Sequence, residues 1–111
     1  MTVYVDNMRA KFGRLVMCHM IGDTEQELHE MADKIGVARK WYQGDHYDIA
    51  LSKRALAVAA GAVEITLRQA GMMAGTQRRT GKLPKPEEVD ELYRQAGERL
   101  RASLKEKGIE L

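Results

Sequence analysis

The chain has 111 residues and a formal net charge of +2, from 18 basic and 16 acidic side chains. That length bounds it to one compact domain with at most an appendage, and so balanced a charge does not announce a nucleic-acid or membrane binder. A single cysteine, Cys18, excludes an internal disulfide framework and a cysteine-cluster zinc site, no apolar run is long enough to span a membrane, and no basic-then-apolar leader opens the chain; the expectation is a soluble protein of the reducing cytoplasm.

Thr2 to Val5 is β-branched and aromatic, which predicts a short strand. Asn7 to Arg14 reads as a polar loop around Gly13, and Leu15 to Met20 as a continuous apolar strand buried on both faces. Thr24 with Glu27 three residues later is a capping box. Leu28, Met31, Ala32 and Ile35 then form one apolar stripe of a helix that Gly36 ends. Lys40 to Gln43 suits a short strand and Gly44 to Asp48 a polar turn. Ser52 to Ala60, rich in Ala and Leu, predicts a buried helix; Ala62 to Thr66 a compact strand; Leu67 to Ala74 a short helix. The alternation predicts an α/β fold, a small mostly parallel sheet flanked by helices, with an α+β arrangement as the alternative if the first two strands pair as a hairpin.

Composition changes at Gly75. Residues 1–74 hold nine basic and nine acidic side chains, whereas residues 75–111 hold nine basic and seven acidic and so supply the whole net charge. Residues 75–86, with both prolines and little apolar content, read as a basic linker between a core of residues 1–74 and a C-terminal helical extension of residues 87–111. Pro86 suits the start of that amphipathic helix and Gly108 its end. Val89, Leu92, Tyr93, Ala96, Leu100 and Leu104 share one face of it, which predicts packing on the core or a homodimer through this helix.

The residues able to carry chemistry stand at predicted strand ends: Asp6, His19, Asp23, Asp45, His46 and Asp48. In a parallel sheet these ends line one edge, where ligands bind. Carboxylates and imidazoles together supply acid–base groups or ligands for a divalent cation. His46 leads, with Asp45 or Asp48 to orient its imidazole and Trp41 and Tyr47 nearby in sequence. The bland readings are a turn cap for Asp6, a helix cap for Asp23, a satisfied core histidine for His19 and a small buried apolar residue for Cys18. Glu25, His29 and Asp33 fall at i, i+4 and i+8, a solvated charge row. Arg78, Arg79, Lys82 and Lys85 form a basic patch in the linker, and Arg39-Lys40-Trp41-Tyr42 mixes cations with aromatics, a weak nucleic-acid signal against a solvated segment. No phosphate loop, dinucleotide fingerprint, nucleophile elbow or H-E-x-x-H is present.

Several separated blocks occur in order: Met1-Thr2-Val3-Tyr4-Val5-Asp6, Cys18-His19-Met20, Asp23-Thr24, Glu27-Leu28-His29, Trp41-Tyr42-Gln43, His46-Tyr47-Asp48, Lys53-Arg54 and Gly61-Ala62. Over about residues 1–73 this resembles the small bacterial and phage proteins grouped as Domain of Unknown Function 4031. The resemblance brings no established activity. It implies that Asp6, His19, Asp23, His46, Tyr47 and Asp48 belong to the family pattern, and that the variable segment before His46 makes His46-Tyr47-Asp48 a firmer unit than Asp45.

Three functions follow as expectations. The first is a hydrolase or phosphodiesterase acting on a nucleotide or phosphate ester. In it His46, Asp48, His19 and Asp6 are the catalytic candidates, Tyr47, Trp41 and Asp23 the substrate contacts, and a divalent cation is an optional cofactor. The second is a non-catalytic small-ligand or regulatory module using the same crevice. The third is a nucleic-acid accessory protein using the basic linker and Trp41-Tyr42.

Overall fold

The computed structural model describes residues 2–109, so Met1 of the opening block and residues 110–111 of the C-terminal extension lie outside the described residues. Five strands and four α-helices follow in the order β1 (Val3–Val5), β2 (Ala10–Phe12), β3 (Leu15–Gly22), α1 (Glu25–Ile35), β4 (Tyr47–Ala50), α2 (Leu51–Ala59), β5 (Val63–Glu64), α3 (Leu67–Thr80) and α4 (Pro86–Glu106). The fold is α/β, but the sheet is mixed and mostly antiparallel. β3 pairs antiparallel with β1, β2 and β4, and β1 alone pairs parallel, with β5.

The expected parallel sheet fails for two reasons. The supposed loop before β3 contains β2, which closes a two-residue hairpin at Gly13 (φ 61°), so the chain enters β3 reversed. The supposed strand at Lys40–Gln43 is a 3-10 turn, Arg39–Trp41, plus one isolated bridge from Tyr42 to Tyr47. Residues 36–46 thus return the chain to the end of β3 that α1 had just left, and β4 runs back antiparallel beside it, with Met20 opposite Tyr47 and Met17 opposite Ala50.

β3 is the axis of the sheet. Met17 meets Ala10 on one side and Ala50 on the other, and Met20 meets Val5 on one side and Tyr47 on the other. β1 and β2 therefore lie end to end along one edge of β3, with β4 along the opposite edge. Between β1 and β2 the register slips. The chain runs from Val5 to Ala10 while β3 runs only from Met20 to Met17, so the first path carries two extra residues, a wide bulge at Asp6–Arg9.

Side chains alternate across the strands and sort into two layers. One face presents Val5, Cys18, Met20, Tyr47 and Ile49 to Leu28, Met31, Ala32 and Ile35 of α1 and Ala57 of α2. The other presents Tyr4 and Ile21 to Ala70 and Met73 of α3, with Leu83 and Val89 closing the cluster. Thr24 caps α1 by accepting from the Glu27 amide, and Gly36 ends it at φ 77°, but only this half of the expected capping box forms, since the Glu27 carboxylate accepts from the Thr24 hydroxyl at 3.0 Å. Burial of α2 is slighter than its Ala-rich composition suggests: Ala57 is buried while Leu56 is half exposed.

α3 is nearly twice its expected length. Thr66 and Gln69 form a capping box at its start, and it continues to Thr80 before Gly81 (φ 82°) stops it. The expected linker therefore shrinks to residues 81–85, since residues 75–80 are helical. Lys85 and Tyr4 reach Asp23, whose carboxylate accepts from the Lys85 ammonium at 3.0 Å, the Thr2 amide at 2.9 Å and the Tyr4 hydroxyl at 3.3 Å, which ties α4 to the edge of the sheet. α4 buries Pro86 and Val89 and then leaves Leu92, Tyr93 and Leu100 exposed. Among the described residues no helix is long and apolar enough to cross a membrane.

Candidate metal centre

His19 and Asp48 face each other across β3 and β4, on the sheet face opposite Cys18, Met20, Tyr47 and Ile49. His46 immediately precedes β4, and its ring stands 5.3 Å from the His19 ring, edge on at 75°. The three residues converge: one donor atom from each lies within 4.8 Å of the other two.

The bulge orients His19. With two extra residues opposite it, the His19 amide donates to a side chain, the buried carboxylate of Asp6, while the His19 carbonyl keeps a backbone partner. That carboxylate accepts from the His19 amide at 2.8 Å, from the Met8 amide at 3.2 Å and from His19 Nδ1 at 2.7 Å. Asp6 is held in turn by its own amide, which donates to the His19 carbonyl, and by Arg54 of α2, whose Nε donates to the Asp6 carbonyl at 2.8 Å. Arg54 also pairs with Glu64, so α2 and β5 both brace the bulge. The neighbouring Asn7 accepts from the Leu67 amide at 2.7 Å and fixes the start of α3 over the same face.

His46 is oriented in the same manner by its neighbour. Asp45 Oδ1 accepts from His46 Nδ1 at 2.6 Å, and Asp45 Oδ2 accepts from Arg78 Nε at 2.8 Å. Burial works to raise the Asp45 carboxyl, but the hydrogen bonds from His46 and Arg78 outweigh it and hold the group below its ordinary value.

A carboxylate only accepts, so Nδ1 of both histidines carries the hydrogen and Nε2 of both is left as a lone pair in the neutral ring. Both Nε2 atoms face the same oxygen: Asp48 Oδ1 lies 3.7 Å from His19 Nε2 and 3.5 Å from His46 Nε2. These separations are too long for hydrogen bonds. Asp48 Oδ2 is occupied, accepting from Gln43 Nε2 at 2.9 Å, whereas Oδ1 is buried with no hydrogen-bond partner. Two lone pairs and a carboxylate oxygen are therefore brought together within 4.8 Å of one another. Donors bound at about 2.1 Å to a common ion at tetrahedral angles stand about 3.4 Å apart, close to the separations seen. A carboxylate behind each imidazole is the outer support that metal-ligating histidines use.

Beside these groups is a cavity of about 180 Å³, floored by His19, His46 and Ile21, walled by α3 and reached by Arg78. The sheet thus unites Asp6, His19, Asp45, His46 and Asp48, although β1 and β3 are antiparallel. They meet because His19 is a mid-strand residue beside the end of β1. Asp23 is four residues beyond His19, just past the end of β3 and roughly 13 Å away at strand rise, and serves the clamp to Thr2 and Lys85. The other expected substrate contacts also lie outside the cluster. Tyr47 is fully buried on the opposite face, where its hydroxyl meets His29 Nδ1 at 2.7 Å. Trp41 is exposed in its 3-10 turn, its ring 5.2 Å from the Lys40 ammonium.

His29 overturns the charge-row expectation. It is buried, and its Nε2 donates to Glu25 at 3.1 Å. Sequence reasoning gave no role to Gln43 and saw Arg78 merely as one charge of a basic patch. Cys18 is on the α1 side of the sheet, where burial first and the Asp6 charge next push its thiol up to about 11, as fits a packed and unreactive residue.

Comparison with curated proteins and with solved structures gives no match. The description "Protein of unknown function (DUF4031)" matches residues 3–77, which include the whole histidine–carboxylate cluster and end one residue before Arg78, and the chain belongs to that family.

Proposed function

We propose that the chain binds one divalent cation, Zn²⁺ by preference, through His19 Nε2, His46 Nε2 and Asp48 Oδ1, and uses it for the hydrolysis of a small ester. The observation that carries this reading is the buried, unpartnered Asp48 Oδ1 standing 3.5 and 3.7 Å from two imidazole nitrogens that are each backed by a carboxylate. Two histidines and one carboxylate leave a coordination position open, the arrangement of catalytic rather than structural zinc. A cation held by His19, His46 and Asp48 would supply, as the attacking nucleophile, a water acidified toward neutral pH. Hydrolysis would join a water oxygen to phosphorus or carbonyl carbon and break the bond to the leaving oxygen, which would take up the proton that the water gives.

Titration calorimetry and thermal shift with Zn²⁺ and Mn²⁺ test the reading. The wild-type chain is expected to bind and to melt higher, and His46→Ala to lose both effects. No response to either ion overturns it. Metal binding with no cleavage of a panel of phosphate and carboxylic esters replaces the hydrolase by the non-catalytic ligand module. The nucleic-acid alternative has less free charge than its sequence suggested, because Arg78 pairs with Asp45 and Lys85 with Asp23.

A further inference from the structure

Leu67, Ala70, Gly71, Ala74 and Arg78 are spaced i, i+3, i+4, i+7 and i+11, so they share one face of α3. That face borders the cavity beside His19 and His46. Small side chains in its middle leave the space open, and Arg78 stands one helical turn beyond Ala74, at the end of the wall. The Arg78 guanidinium is held by one edge: Nε donates to Asp45, and neither Nη has a hydrogen-bond partner among the described residues. The side chain is 63% exposed, so solvent and solutes reach those nitrogens. A guanidinium fixed at Nε and free at its Nη end is a preorganised fork for an oxyanion.

We infer that the substrate of this centre carries an oxyanion group, phosphate or carboxylate, which docks on the free Nη end of Arg78 while its uncharged body lies along the small-residue wall of α3. The inference rests on the metal reading and adds the substrate class to it. Size sharpens it. At about 180 Å³ the cavity lies below the usual range for enclosed drug-sized ligands. A compact acid fits inside, whereas a nucleotide enters by one end. Because Asp45 joins Arg78 to His46, an anion on Arg78 sits one carboxylate away from a metal ligand. Occupation of one is therefore felt at the other.

The test uses the full chain loaded with Co²⁺, whose visible absorption reports on its ligands. Inorganic phosphate and acetate are titrated separately into wild type, Arg78→Gln and Arg78→Lys. The expected result is a saturable spectral change in wild type with at least one anion. Its half-saturating concentration should rise tenfold or more in Arg78→Gln and by less in Arg78→Lys, while each variant still shows the cobalt bands. The anion that saturates lower identifies the acid the substrate carries. A cobalt spectrum that ignores both anions, or that responds equally in Arg78→Gln, overturns the inference and leaves the metal reading standing. Absence of cobalt bands in the wild-type chain overturns the metal reading and this inference together.

Discussion

The two faces of the sheet each hold a histidine network, and they differ in whether their bonds close. On the α1 face, Tyr47 donates its hydroxyl hydrogen to His29 Nδ1 and His29 Nε2 donates to Glu25, so both ring nitrogens have a partner. Burial keeps the Tyr47 phenol above its ordinary value, and Tyr42 packs edge on against the His29 ring. On the α3 face, Asp6, His19, His46 and Asp45 are bonded in the same way at one end, but both chains stop at Asp48 Oδ1, which has nothing. A closed network is complete as it folds and contributes rigidity. An open one with neighbouring acceptors is what the proposed cation would complete.

Substitutions sharpen this contrast. The largest effect is expected at the open end: His46→Ala, or Asp48→Asn, should weaken Zn²⁺ binding well beyond the roughly 10–100-fold that outer partners command, with the melting temperature of the metal-free protein little changed. Retention of wild-type zinc affinity by Asp48→Asn in calorimetry would put the two faces in the same class. Next come the outer carboxylates. Asp45→Asn should cost about 10–100-fold in metal affinity. Asp6→Asn should cost as much and also about 1–3 kcal/mol of stability, because Asp6 is buried and takes the His19 amide in place of a backbone partner. On the closed face the pattern inverts: Tyr47→Phe leaves His29 Nδ1 buried without a donor, so urea unfolding should show a loss of about 1–3 kcal/mol and calorimetry an unchanged zinc affinity.

The smallest effect is a pH dependence. The Asp45 carboxyl is depressed in the folded protein, so its contribution to stability is fully present above its ordinary value of 3.8 and is lost as pH falls through the lower folded value. The stability difference between wild type and Asp45→Asn should therefore be flat near neutrality and shrink in strong acid. A difference that grows as the pH falls would reverse the assigned sign.

The candidate site was more legible in the sequence than the sheet that builds it. His19, His46, Asp48 and Asp6 could be named as imidazoles and carboxylates at predicted strand ends, although the parallel sheet expected to bring them to one edge is not the sheet that forms. The pairing direction was not readable. It turns on Ala10–Phe12, three exposed residues too few for their alternation to mark a strand, and on residues 36–46, whose path depends on tertiary packing. Helix α1 was legible down to its caps, since Thr24, Glu27 and Gly36 act locally. His29 was misread because its spacing from Glu25 and Asp33 describes one helix face; those two are exposed as expected, and only the packing of Tyr47 and Tyr42 buries the histidine between them. α3 was cut short at Ala74 because Gly75 and the polar residues after it resemble a linker, yet the helix runs on to Thr80 and delivers Arg78 to Asp45.

The bulge at Asp6–Arg9 means that the outer support of His19 is encoded in a length as well as in an identity. An aspartate at this point in an unbroken ladder would send its side chain to one face and leave the backbone of His19 to pair with its neighbour strand. Two surplus residues instead free a main-chain amide for the carboxylate to take up, so backbone and imidazole are gripped by one side chain. Removing two residues between Val5 and Ala10 while keeping Asp6 is thus expected to restore regular pairing and unhinge the histidine at once. In this fold the spacing of two paired strands acts as a gene-level dial on the aim of a ring.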